Sequence, residues 1–177
     1  MIKKIATTVL LSAAFFAFAQ DVENRIEYPQ EFELAGKSFK LTKSDISSQE
    51  IVVQEYVAKD ESTAKSGSKH KAQSKITITR YPKVMEKEII EHQMAELQEH
   101  NKAKNMEASE VGDHLYMVSY DAPNASGKTE KQEIYFKIVS APDGDVSSAY
   151  KFVQTGAAQD EEFRTQFRKF AEVFPNQ

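Results

Sequence analysis

The chain contains no cysteine. That absence excludes disulfide staples, thiol nucleophiles, zinc–thiolate sites and iron–sulfur clusters together. Stability therefore rests on packing. Tryptophan is missing too, so eleven phenylalanines and seven tyrosines supply every aromatic ring available to a core or a ligand groove. An excess of positive charge is also absent, with 23 Lys+Arg against 27 Asp+Glu. A protein of that balance lacks the basic surface that phosphate binding needs, which argues against nucleic acid as a partner. Recognisable catalytic motifs are missing as well: there is no Gly-x-Ser-x-Gly, no His-Glu-x-x-His and no glycine-rich phosphate loop.

Long apolar runs are confined to the start. Lys3 and Lys4 precede a mostly apolar stretch from Ile5 to Phe18, and Ala17-Phe18-Ala19 forms a small-x-small site before Gln20. This is the layout of a secretory signal peptide, and its apolar part is too short for a membrane span. No cysteine follows the site to carry a lipid. The expected organisation is a signal peptide over 1–19 and a single domain over 20–177. Cleavage after Ala19 would leave about 158 residues, within the range of one domain with a core of its own. It would also remove Lys3 and Lys4, taking the net charge from −4 to about −6, which suits a soluble periplasmic or secreted protein.

Residues 31–34 and 38–42 read as short strands around the turn Ala35-Gly36-Lys37. The β-branched, aromatic run 51–58 and the alternating Lys75-Ile-Thr-Ile-Thr-Arg80 read as further strands. Between them, 59–74 holds no apolar residue larger than alanine, and its composition predicts a mobile loop. From Lys83 to about Lys104 the spacing predicts a helix begun at Pro82. Ile89, Ile90, Met94 and Leu97 fall on one side of it, with Met85 at the edge. Segments 114–121, 131–140 and 146–155 read as strands, the first pair separated by the turn-rich 122–129. The other connection contains Asp143-Gly144, a hairpin signal. The clearest helix spans 160–174: acidic residues crowd its start, Arg168 and Lys169 lie toward its end, and Pro175 stops it.

The expected fold is α+β: an antiparallel sheet of about six or seven strands with two main helices packed on it, in the order strands, helix, strands, helix. That element order resembles the Mog1/PsbP-like fold of small accessory and binding proteins across most of the mature chain. The resemblance carries no residue motif, and it implies a partner-binding or assembly role.

Several features invite a chemical reading. Glu88, His92, Glu96 and His100 recur every four residues on the long helix, so an adjacent carboxylate and imidazole have spacing compatible with a divalent metal. The row drifts around the helix, only neighbours can share an ion, and a solvated row of weak charge pairs is the plainer account of it. His92 and Met94 are separated by about 200° of helix, which rules out a shared copper ion. Asp143 and Asp145 match the opening of a calcium loop but lack its later acidic ligands, so a plain turn accounts for them. Asn124-Ala-Ser126 matches a glycosylation acceptor in a eukaryotic pathway only. His114, opening a strand, is the one histidine placed to join a distant triad, although an ordinary edge residue reads the same.

Phe163, Phe167, Phe170 and Phe174 form an aromatic stripe that either plugs the core or lines a groove for an apolar ligand. Lys59, Lys65, Lys69 and Lys71 make the 59–74 loop a candidate partner-binding arm, with Asp60 and Glu61 its only acids. The expected function is a periplasmic, non-enzymatic protein that binds another protein or an envelope component, as an accessory, chaperone-like or immunity/inhibitor factor, with no cofactor. Its rivals are a metal-dependent hydrolase or metal carrier centred on His92, Glu96 and His100, and a small apolar-ligand binder using the phenylalanine side.

Overall fold

A computed structural model describes residues 22–59, 74–100, 102–123, 127–140, 147–155 and 161–175. Eight strands form one fully antiparallel sheet: β1 Glu31–Leu34, β2 Lys37–Ile46, β3 Val52–Ala58, β4 Lys75–Val84, β5 Lys104–Gly112, β6 Leu115–Pro123, β7 Thr129–Ser140 and β8 Ser147–Thr155. Helix α1, Glu86–His100, links β4 to β5, and α2, Glu161–Glu172, follows β8. The spatial order is β1-β2-β3-β4-β8-β7-β6-β5, so two four-stranded meanders meet at the β4–β8 pair.

The α+β class is as the sequence indicates, but the sheet has eight strands rather than six or seven. The extra strand is β5. Its start was expected to be the end of the long helix, which in fact stops at His100. The helix also begins later than Lys83, because β4 runs through Pro82 to Val84. A proline has no N–H to give a ladder, and it is tolerated where the pairing is irregular. The register with β8 shifts between Tyr81 and Val84, and Lys83 takes a positive φ of 52°. Met85 consequently precedes the helix and is 63% exposed instead of bordering the apolar stripe.

The two helices lie on opposite faces. At the central pair Ile78 stands opposite Phe152 and Thr79 opposite Lys151, and strand alternation sends the two pairs to different sides. Ile76, Ile78 and Phe152 pack with α2, while Ala149 packs with α1. The α1 side is sealed by Ile89 and Leu97 against Val118, Tyr120, Ile134, Phe136 and Ile138 of the second meander. The α2 side is an aromatic core. Phe170 lies 5.1 Å from Phe32 and 5.8 Å from Phe152, Phe174 lies 4.8 Å from Tyr28, and Phe167 lies 5.7 Å from Tyr135. Such ring pairs add roughly 0.5–1.5 kcal/mol each beyond the area they bury. All four phenylalanines of the stripe are buried.

The segment before β1 closes this layer. Ile26 and Tyr28 are buried in it, and the wholly buried Gln54 amide donates to Asn24 Oδ1 (3.2 Å) and Ser44 Oγ (3.3 Å) while accepting from Tyr56 Oη (3.1 Å). Three partners satisfy a side chain that would otherwise be costly to bury. The open face of the first meander is charged instead, and Lys59–Glu31, Lys43–Asp45 and Lys75–Glu55 neutralise one another across it.

Ala35 and Gly36 form the two-residue turn between β1 and β2, with φ of 49° and 68°. Two consecutive positive φ values define the primed hairpin turn, in which an alanine is strained and a glycine is not. Replacing Ala35 with glycine is expected to stabilise the protein by about 0.5–1 kcal/mol, read by urea denaturation. A loss of stability would show that the alanine side chain contributes more than the strain it carries.

Burial raises the pKa of Tyr28, Tyr56, Tyr81, Tyr120, Tyr135 and Tyr150, that of Tyr81 to about 12. Above pH 10 the unfolded chain loses these protons before the folded one does, so folded stability falls as pH rises through that range. The expected slope is about 1.4 kcal/mol per pH unit for each tyrosine still protonated only in the fold. Tyrosinate absorbance should therefore appear together with unfolding. Ionisation of most tyrosines in a still-folded protein would overturn this.

Candidate functional site

Helix α1 carries the residues singled out for metal binding, and its amphipathic setting decides where they point. Ile89, Gln93 and Leu97 recur at four-residue spacing and form the buried line on the sheet. Glu88, His92 and His100 are exposed on the remaining surface. Glu96 is exposed as well, and it accepts a hydrogen bond from Gln93 Nε2 at 2.7 Å. Among the described residues, no three His, Asp or Glu side chains come together in a group able to hold a metal ion. His114 lies outside any strand. It occupies the β5–β6 turn with φ of 48°, and its Nε2 is 3.9 Å from Asp113.

The buried glutamine is the feature that sequence reading missed. Lys151 of β8 donates from Nζ to Gln93 Oε1 at 2.7 Å, and the same ammonium lies 5.8 Å from the centre of the Tyr81 ring. Burial lowers the Lys151 pKa, while the nearby Glu96 charge opposes that shift. The signal was present as a polar residue at position 93 interrupting an otherwise apolar line. Chemically the group is a tie: a half-buried cation, capped by an amide oxygen and an aromatic face, locks α1 to the central strand pair.

Of the proposed lysine arm, Lys59 directly follows β3 and its ammonium is bonded to Glu31 Oε2. That contact holds the Glu31 carboxyl below its usual range. Lys65, Lys69 and Lys71 lie outside the described residues, as do Asp143, Asp145, Asn124, Ser126 and the segment 1–19. The phenylalanine stripe is turned wholly into the core, its four rings packed on the sheet rather than around an opening.

What remains open is a groove of about 330 Å³ between α1 and the edge strand β5. Lys87, Ile90 and Glu91 form one wall and Ala108, Ser109 and Glu110 the other, with Tyr116 of β6 completing the lining. Ile90 and Tyr116 are half-buried members of the α1-side core, so the lining is apolar at depth and charged at the rim. Lys87 and Glu91 are 3.7 Å apart on successive turns and offset each other. Glu110 has no ion partner among the described residues.

Comparison with protein family models, with curated proteins and with solved structures finds no match to this chain. Among the described residues, no helix is long and apolar enough to cross a membrane.

The tie can be measured. Lys151→Met leaves the Gln93 carbonyl buried without its donor and is expected to lower stability by about 1–2 kcal/mol. Adding Gln93→Leu removes the orphaned amide and should bring the double variant to within about 1 kcal/mol of wild type. Strict additivity in denaturant titrations would show that the two residues do not act as a pair.

Proposed function

We propose that this chain is an exported, non-enzymatic protein that binds another macromolecule of the cell envelope, as an accessory, chaperone-like or immunity/inhibitor factor. The observation that carries the reading is the α1–β5 groove: shallow, apolar at depth, and open along a sheet edge. Such a surface suits side chains presented by a partner, whereas small-molecule sites enclose most of their ligand. The signal-peptide layout of residues 1–19 supports export. The element order expected from the sequence, which resembles that of the Mog1/PsbP-like fold, points the same way.

The test uses the mature chain recovered from the periplasmic fraction and crosslinked in place. The expected result is an N-terminus at Gln20 and one specific partner whose complex re-forms from the two purified components. An N-terminus at Met1, or crosslinking that yields only non-stoichiometric neighbours, would overturn the proposal.

A further inference from the structure

An open sheet ends in two strands whose outer backbone groups have no neighbour, and proteins protect such edges against stray pairing. Here β1 is protected by its length of four residues. The other edge, β5, has nine residues and is protected differently. Its register with β6 shifts between Lys104 and Glu107 and again between Glu110 and Gly112, and Asn105 takes a positive φ of 50°. Both ends of the strand are therefore irregular. Only Glu107, Ala108, Ser109 and Glu110 keep an unbroken register, opposite Ser119, Val118, Met117 and Tyr116.

Three members of that regular stretch are the groove wall. A main-chain template and a side-chain pocket thus coincide over the same residues, the combination by which an added strand is held and selected. Ala108 is small and exposed, leaving Ile90 and Tyr116 to receive a larger side chain from outside. By strand alternation Ala108 and Glu110 face the groove, and Glu107 faces the opposite side. Glu107 and Glu110 are both exposed and have no ion pair among the described residues, whereas Lys87 is already matched by Glu91.

We infer that β5 takes up an extended segment of a partner protein as a ninth strand, selecting the pattern basic, apolar, any, basic opposite Glu107, Ala108, Ser109 and Glu110. The apolar side chain fills the groove against Ile90 and Tyr116, and the basic side chains meet the two free carboxylates. A second copy of this chain does not meet the requirement. Paired antiparallel through Ala108, it offers alanine where the groove needs a large apolar group and brings a further Glu110 to the same edge. This inference rests on the macromolecule-binding role proposed above and names the surface and the chemistry it recognises.

The probe is a short synthetic peptide carrying that pattern, compared with one whose basic residues are replaced by glutamate, each titrated into the full mature chain by fluorescence anisotropy. The basic peptide is expected to bind at least about tenfold tighter than the acidic one. Hydrogen exchange should slow at Glu107–Glu110 on binding. Ala108→Leu, which fills the groove, should weaken the basic peptide by about tenfold, and Glu110→Lys should reverse the charge preference. Both positions are exposed, so circular dichroism should show each variant folded. Equal binding of the two peptides, no effect of either substitution, or dimerisation of the wild type through β5 would each overturn the inference. The two proposals also separate. An envelope partner held equally by wild type and by the Ala108→Leu/Glu110→Lys double variant removes the β5 site and leaves the binding role. Peptide binding as described, with no partner captured by wild type, does the reverse.

Discussion

The antiparallel pairing of β4 with β8 is the contact on which everything else depends. It joins two meanders that are otherwise local hairpins into one sheet, and it fixes which side chains reach which layer. Strand alternation allows no intermediate: a slip of one residue would put Ile76 and Ile78 on the opposite side of the sheet from Phe152, so that one set would face α1. The register holds because each face has its own requirement. The α2 side needs large rings to meet Phe170 and Phe174, and the α1 side needs Lys151 at the height of Gln93.

Placing the helices on opposite faces has a consequence for the surface. Helix α1 covers the second meander on one face, whereas α2 on the other face packs on both meanders, so the first meander keeps one open face and the sheet keeps two edges. The open face of the first meander is neutralised by its own ion pairs, contacts that add little stability when solvated but leave few unmatched charges. At β5 the protection is incomplete. Irregular backbone guards both ends of the strand, while the regular stretch between them borders an apolar groove and carries two carboxylates with no ion pair among the described residues.

The metal reading of α1 shows why a helical repeat is weak evidence for a site. A spacing of four residues predicts neighbours along the helix, but an ion also needs ligands from another element. The partner that the sheet supplies at this helix is a lysine, which meets Gln93 and is influenced by Glu96. Lys151 sits between Tyr150 and Phe152 in the sequence, and its meeting with position 93 follows only from the packing of α1 across β8.

By itself the sequence determined the elements whose own pattern demands burial. The clean alternation of Ile76 and Ile78, the four-phenylalanine stripe and the Ala35-Gly36 turn each encode a local structure that has few alternatives. Tertiary structure decided what local pattern leaves open. Strand β5 has mostly exposed, helix-compatible residues and becomes a strand because β6 offers it a ladder. Pro82 reads as a helix start and sits in a strand because β8 pairs on either side of it. The α1–β5 groove and the Lys151–Gln93 tie arise for the same reason: each joins residues far apart in the chain. Periodicity reports which way a side chain faces, but not what stands opposite.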